Sequence, residues 1–239
     1  MIALLSLRSH TGLELSQRLE IPFIRRPAHD TETVIRWGST VPFDGEQLNT
    51  REAIQNASDK LRCRQLLQEA GIPVPHMGTD IFPCIGRPQK HWGGKGFFIC
   101  RDSEDVERAK RRGAYYFSAY YPKTEEYRIH IGSGKVILMS VKEGRKEGRM
   151  CWNKRKTGFT FRHMYRSEWL EDDQLMRLVR LAKKAIKVLG LDFGAVDMLA
   201  FPRESYLPEA VICEVNTAPA LSQLAMKHYM DYFRREIEL

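Results

Sequence analysis

Asp-Phe-Gly-Ala-Val-Asp-Met-Leu-Ala-Phe (residues 192–201) and, after a short connection, Val-Ile-Cys-Glu-Val-Asn-Thr-Ala-Pro (residues 211–219) form the stretch around which the chain is organised. Its two apolar runs flank a connection that begins and ends with proline, and this pattern predicts a β-hairpin with a loop of several residues. If that loop folds symmetrically, Asp197 pairs directly with Glu214. The stretch therefore predicts two carboxylates that meet across a hairpin.

The polar face of this hairpin carries the chemistry. Strand side chains alternate between faces, so Glu214 and Asn216 should point one way and Cys213 the other. Like charges that lie directly opposite are destabilising, so Asp197 facing Glu214 indicates a bound cation. Two carboxylates and an amide oxygen are suitable ligands for Mg²⁺. The alternative is an ordinary hairpin whose acids face water, with the register broken by a bulge.

Composition limits the class of protein. The chain has 239 residues, of which 43% are hydrophobic and 28% charged, and this balance is typical of a globular protein with one large domain or two closely joined ones. The formal net charge of +8 favours anionic partners such as nucleic acid, ATP or an acidic substrate. Five scattered cysteines without a C-x-x-C pair predict reduced, mostly buried thiols in a cytoplasmic protein, and no apolar run reaches membrane-spanning length.

The first third of the chain has the pattern of a small α/β region followed by a helix. The pattern predicts a strand over residues 2–5, a helix over 11–19 and a strand over 34–37. The next helix should begin at the N-cap Ser58 and end at Gly71. Lys60 in its first turn opposes the helix dipole, which is consistent with an external anion, although a solvent-exposed lysine is the default explanation of the position.

A glycine-rich segment follows at residues 86–99. Gly93, Gly94 and Gly96 surround Lys95, and such a loop can present backbone amides to an anion. The segment lacks the spacing of a Walker A loop and of a dinucleotide fingerprint. A flexible hairpin tip is the alternative interpretation.

The middle of the chain predicts two further strands, a basic loop and two helices. Strands are expected over residues 125–131 and 136–141, a loop over 142–156, a helix over 168–189 and a C-terminal helix from 222. Alternation places Tyr127 and Ile129 on one face of the first strand, and Glu126 and Arg128 on the other. The basic loop is either a solvated segment or one that closes over an anion.

These pieces, taken in order, resemble the ATP-grasp superfamily. The order is a helix carrying Lys60, then Arg87-Pro88, the glycine-rich loop, an aromatic run, Glu126-Tyr127-Arg128, Lys142, Asp197 and Glu214-Val215-Asn216. The resemblance covers about residues 34–222, and its most specific part is Val-Asp followed by Glu-Val-Asn-Thr-x-Pro.

The resemblance implies an α+β fold in which two subdomains clasp ATP behind a short α/β N-terminal region. That region would span residues 1–55 and the ATP-grasp domain 56–239, with a small nucleotide-covering subdomain over about 72–118 and a metal-binding subdomain over about 119–239. Two departures matter. Arg87 stands where the family usually has lysine, which keeps the charge but changes the geometry of phosphate binding, and the N-terminal region is short for a ligase.

The resemblance also implies a role for each site residue. Asp197, Glu214 and Asn216 would bind one or two Mg²⁺ ions, or Mn²⁺. Nucleotide contacts would come from Lys60, Arg87, Gly93, Gly94, Lys95, Gly96, Tyr120, Tyr121 and Glu126, with Glu126 on the ribose and the two tyrosines near the adenine. Catalytic contacts to the transferred phosphoryl group would come from Arg128, Lys142, Lys154 and Arg155.

The implied activity is an ATP- and Mg²⁺-dependent carboxylate–amine ligase that acts on small-molecule or peptide substrates. ATP converts a carboxylate into an acylphosphate, which an amine then attacks, while Mg²⁺ and basic side chains offset the developing charge. Two alternatives stay open: an ATP-grasp kinase or phosphotransferase, and a non-catalytic nucleotide or nucleic-acid binder. A metal-binding set is unnecessary for simple nucleic-acid binding, so nucleic acid is the less favoured partner, and no membrane partner is expected.

Overall fold

Three β-sheets and seven helices make up the part of the chain that the computed structural model describes, residues 1–89, 96–121, 125–144, 158–201 and 209–237. The strands are β1 (Ile2–Leu5), β2 (Phe23–Ile24), β3 (Thr33–Arg36), β4 (Glu46–Leu48), β5 (Cys84–Arg87), β6 (Phe98–Cys100), β7 (Tyr116–Ala119), β8 (Glu125–Gly132), β9 (Lys135–Gly144), β10 (Phe159–Met164), β11 (Phe193–Ala200) and β12 (Ala210–Asn216). The helices are α1 (His10–Leu19), α2 (Arg51–Ser58), α3 (Lys60–Glu69), α4 (Ser103–Arg111), α5 (Arg166–Leu170), α6 (Asp173–Val188) and α7 (Gln223–Glu236).

The N-terminal sheet is parallel, with strand order β2-β1-β3-β4. The predicted α/β start is confirmed, since β1, α1 and β3 lie where the apolar pattern puts them. Helix α7 returns from the C-terminus to this sheet, and its Tyr229 and Phe233 pack with Trp37 and Phe193 in one buried aromatic cluster. This cluster joins the N-terminal sheet to the first residue of β11.

The largest sheet has the order β10-β9-β8-β11-β12 and is antiparallel throughout. One face is the main core. Tyr127 and Ile129, which share a face as predicted, enter it together with the apolar stripe of α6 and buried residues of α2 and α3. The opposite face carries Glu126 and Arg128. The period-two alternation of β8 therefore separates a core face from a polar face.

The hairpin register is confirmed, because Asp197 pairs with Glu214 across β11 and β12. A β-bulge follows at once, so that Met198 pairs with Ile212. Ile212 and Val215 both enter the core although they are three residues apart, which strict alternation does not allow. The prediction that Cys213 points away from the polar face is wrong, because the extra residue of the bulge resets the alternation and brings the thiol near basic side chains of the polar side.

Two predicted helix boundaries are wrong for capping reasons. Ser58 ends α2, which was not predicted, and Asp59 caps α3 by accepting bonds from the backbone N–H groups of Leu61 and Arg62 at 3.0 and 3.1 Å. The helix predicted over 168–189 is divided into α5 and α6. The division falls at Asp172, whose carboxylate caps α6 by accepting hydrogen bonds from the backbone N–H groups of Gln174 and Leu175.

The third sheet, β6-β5-β7, is small and antiparallel and packs against α4. The predicted domain boundaries stay a prediction. Of the cysteines that the structure describes, Cys63, Cys84 and Cys100 are buried and Cys213 is half-buried. Over the same residues, every helix is too short or too polar to cross a membrane.

Candidate functional site

The polar face of the large sheet carries a group of charged side chains that we call the floor cluster. Its members are Lys60, Glu126, Arg128, Lys142, Asp197, Glu214 and Asn216. Alternation brings side chains of β8, β9 and β11 to this face, and α3 supplies Lys60 to Glu214 of β12, the last strand of the sheet. Elements distant in sequence thus contribute to one surface.

Arg128 and Asp197 form the central pair. Arg128 donates from Nε to Oδ1 at 2.6 Å and from Nη2 to Oδ2 at 2.7 Å, a side-on bidentate arrangement between neighbouring strands. Asn216 Nδ2 donates to the same Oδ2 at 3.1 Å. Burial alone would raise the pKa of Asp197, but the Arg128 charge outweighs it and holds that pKa below its ordinary value. Asp197 is therefore an ionised carboxylate at neutral pH.

Two further ion pairs flank the central pair of Arg128 and Asp197. Lys142 Nζ donates to Glu126 Oε1 at 2.5 Å, and Lys60 Nζ lies 2.8 Å from Glu214 Oε2. Burial raises the pKa of Glu126 against the opposing effect of the Lys142 charge. The predicted loop over 142–156 starts too early, because Lys142 lies within β9, where strand pairing fixes its direction.

Aromatic rings cover two of the floor cations. The Arg128 guanidinium lies 4.6 Å from the ring centroid of Phe161, and Lys142 Nζ lies 4.5 Å from that of Phe159. Sequence analysis did not identify these rings. The signal was present as period-two alternation in residues 158–164, Gly-Phe-Thr-Phe-Arg-His-Met. The rings shield the cations from water on one side.

A second basic group lies between α3 and the small sheet. It consists of Arg64, one helical turn after Lys60, and Arg87 at the end of β5, and we call it the arginine pair. Arg87 is opposite Tyr116 on β7, and its guanidinium lies 4.2 Å from the Phe97 ring centroid. Sequence analysis missed Arg64, although its i, i+4 spacing from Lys60 was a usable signal.

The remaining predicted nucleotide contacts are only partly described. Tyr121 packs edge-on against Phe201 with ring centroids 5.0 Å apart, and the Tyr120 N–H donates to the Pro83 carbonyl at 3.0 Å. Gly96 has φ +70°, and a Cβ there would lie 2.6 Å from a Pro88 carbon. Gly93, Gly94, Lys95, Lys154 and Arg155 lie outside the described residues.

The charge balance of the two groups favours an anion. Among described residues they contain five basic and three acidic side chains, and each acid already has a basic partner. Within the described part of the chain, no three His, Cys, Asp or Glu side chains are placed to hold a metal together. The oxygen atoms of Asp197, Glu214 and Asn216 are still chemically suitable ligands for Mg²⁺. The two carboxylates would then have to bind the ion as well as their partners Arg128 and Lys60.

Comparisons with known proteins address the fold. No family model matches the chain. Its structure is similar to D-alanine–D-alanine ligase from Bacillus anthracis, with a TM-score of 0.70 at 14% identity over 98% of this chain and 97% of that one. That ligase has also been solved complexed with ATP.

Two more solved structures have the same arrangement. The ATP-grasp ligase PsnB complexed with a minimal precursor gives a TM-score of 0.68 at 13% identity over 98% of both chains, and PsnB has also been solved with Mg and ADP. A RimK domain ATP-grasp protein from Sphaerobacter thermophilus gives 0.65 at 13% identity, covering 97% of this chain and 98% of that one. The chain therefore has the ATP-grasp fold, as the order of its sequence motifs predicts.

Proposed function

We propose that the protein is an ATP- and Mg²⁺-dependent ligase that joins a carboxylate to an amine through an acylphosphate. The observation that carries this proposal is the floor cluster, in which Asp197, Glu214 and Asn216 converge beside half-buried cations on one sheet face. The ligases of similar fold, solved with ATP or with Mg and ADP, support the same cofactors.

The nucleotide would be held by residues of several elements. Lys60 and Arg87 supply positive charge for phosphates, and Tyr120 and Tyr121 follow β7 where the aromatic run ends. Glu126 would accept hydrogen bonds from the ribose and share its carboxylate with Lys142, its partner at 2.5 Å. ATP supplies the phosphoryl group that turns a poor carboxylate electrophile into a reactive one.

The chain's own residues would orient the reacting groups and neutralise the charge on the transferred phosphoryl group. Arg128 is fixed by two bonds to Asp197, so its charge is already positioned and needs no reorganisation during reaction. Lys142 is similarly fixed by Glu126. Asp197, Glu214 and Asn216 would bind Mg²⁺, which would supply positive charge to offset the charge on the transferred group. Small-molecule or peptide carboxylates and amines are the proposed substrate classes.

The experiment that tests this function is a search for product. The protein is incubated with Mg-ATP and pooled small-molecule extracts, and ADP release and new masses are followed by mass spectrometry. We expect ADP release that depends on an acceptor, together with a new mass equal to two substrates less water.

A phosphorylated product without amide formation would instead identify a kinase. Nucleic-acid binding that falls steeply with salt, with no ATP turnover, would identify a binding protein.

A further inference from the structure

Arg64 is a buried cation with unused hydrogen-bonding capacity. Its side chain is only 3% exposed, and its Nη1 donates to the Met77 sulfur at 2.9 Å, a weak acceptor. Its Nε and Nη2 are buried without a hydrogen-bond partner among the described residues. Buried polar groups are nearly always paired, and an unpaired charged donor is more costly than a neutral one. The arrangement therefore requires an explanation.

The neighbours of Arg64 do not neutralise it. Its guanidinium lies 5.5 Å from the Tyr116 ring centroid, and the charge of Arg87 acts on it from the small sheet. Burial first, and then Arg87, lower the pKa of Arg64. Glu214 is close enough for its charge to act on Tyr116, but it is bound by Lys60 at 2.8 Å. No described carboxylate forms an ion pair with either member of the arginine pair.

The unused donors have the geometry of an oxyanion fork. Nε and Nη2 lie on the same edge of a guanidinium, the edge with which Arg128 holds both oxygens of Asp197. On Arg87, Nε is likewise buried without a partner among the described residues. The open fork of Arg64 and the free Nε of Arg87 together offer more donors than a single carboxylate has oxygens to fill, and the several oxygens of a phosphate chain suit them better. Solvent reaches this region at Lys60, one helical turn before Arg64, and at its partner Glu214; their side chains are 17% and 35% exposed.

We propose that Arg64 is a further phosphate-binding residue, which forms with Arg87 a two-arginine clamp for the oligophosphate of the nucleotide. The inference deepens the proposed function, because it assigns a new contact within the same nucleotide site. The clamp explains why two guanidinium groups stay close together without an acid between them: the ligand supplies the negative charge. The competing explanation is a structural brace, in which Arg64 joins α3 to the small sheet through Met77 and Tyr116.

The two explanations predict opposite effects of Arg64→Met, which removes the charge but keeps an unbranched buried side chain. If Arg64 and Arg87 form a clamp, their like charges destabilise the ligand-free parent. The ligand-free variant, which lacks one of these charges, should therefore melt at the same temperature as the parent or higher. If Arg64 is instead a structural brace, the variant should melt at a lower temperature than the parent. The matched control is Arg62→Met, which removes an exposed arginine from the same helix.

The test measures the affinity of the full chain for inorganic tripolyphosphate by calorimetry, together with ligand-free melting. We expect Arg64→Met to lose at least tenfold in affinity without loss of melting temperature, and Arg62→Met to resemble the parent. No binding by the parent, retained affinity in Arg64→Met or a lowered melting temperature would each overturn the clamp. If Arg64→Met does not fold, Arg64→Lys replaces it, and affinity alone decides: a tenfold loss supports the clamp and a smaller loss overturns it.

The outcome is separable from that of the proposed function. Loss of tripolyphosphate affinity in Arg64→Met, in a protein that forms no amide, would support the clamp and reject the ligase. Amide formation with an unchanged affinity in Arg64→Met would support the ligase and reject the clamp.

Discussion

Arg128 and Arg64 are the same side chain in two different electrostatic situations. Arg128 presents its Nε and Nη2 edge to Asp197 and is covered by Phe161, so its charge is neutralised inside the protein. Arg64 is also buried, but the same edge has no partner among the described residues, and its charged neighbour is Arg87. The charges of the floor cluster are therefore paired within the protein, whereas the arginine pair has no carboxylate partner among the described residues.

This difference separates two ways of building a site. Ion pairs between adjacent strands hold the floor in one geometry, so the proposed catalytic groups would be positioned before the substrate arrives. An unpaired buried cation lowers the stability of the free protein, and binding of an anionic ligand restores that stability. Both arginines are thus expected to serve one nucleotide, but only Arg128, through its pair with Asp197, should also stabilise the ligand-free fold.

The largest effect is expected from Glu214→Gln, which should abolish Mg²⁺-dependent ATP turnover while the protein stays folded. Removal of one carboxylate charge leaves the other ligands too weak for a cation that dehydrates reluctantly. Turnover is measured against Mg²⁺ concentration, with thermal melting to check the fold.

The control is Glu209→Gln, near the far end of the same hairpin, where the carboxylate pairs with Arg177 outside the floor cluster. Full activity of Glu214→Gln at an unchanged Mg²⁺ requirement would remove the proposed metal site.

Asp197→Asn tests how strongly the central pair of the floor cluster stabilises the fold. It leaves Arg128, 18% exposed, without its counter-charge, and breaking such a pair costs about 3 kcal/mol or more. The free energy of unfolding is measured by chemical denaturation. Glu107→Gln breaks an exposed pair with Lys110 and should change stability by less than about 1 kcal/mol. Equal effects of the two substitutions would show that the central floor pair is not a buried ion pair in solution.

Glu126→Ala tests the ribose contact at the edge of the floor. We expect ATP binding to weaken by about 1–3 kcal/mol, the scale of a hydrogen bond to a charged group, and the preference for ATP over deoxy-ATP to disappear. Affinities for the two nucleotides are compared by calorimetry. Glu125→Ala, the exposed neighbour in β8, should keep the preference. A variant at 126 that still discriminates like the parent would mean that another residue holds the ribose.

The effect expected to be smallest near neutral pH concerns His130, which lies buried on β8 with Nδ1 3.1 Å from the Tyr229 hydroxyl. Burial, with the Arg128 charge, lowers the pKa of His130 from 6.5 to about 3. The unfolded chain then binds one more proton between these values, so stability is lost as pH falls below about 6.5, by up to about 1.4 kcal/mol per pH unit.

Denaturation of the parent and His130→Asn between pH 7 and about pH 4.5 measures this contribution. The variant should show a shallower loss of stability on acidification, and the exposed His29→Asn should follow the parent. Identical slopes in all three proteins would mean that His130 is protonated in the folded state.

Much of the floor was predictable from sequence because its main feature is local. The pairing of Asp197 with Glu214 depends on two strands joined by one loop, and the period-two pattern of β8 puts Glu126 and Arg128 on the polar face. The motif order was sufficient to predict the ATP-grasp fold at an identity of 13–14% to solved structures. These features follow from spacing along the chain.

Other features of the site could be decided only by tertiary packing. Lys60 reaches Glu214, and Arg64 is buried against Met77, because α3 lies between the last strand of the large sheet and the small sheet. The bulge that moves Cys213 to the polar face depends on how β12 pairs with β11. Sequence alone determined which charged residues face the same side of a strand or helix, because that depends on backbone periodicity. Which charge neutralises which was decided by the folded structure, because the partners come from separate elements whose distance only packing sets.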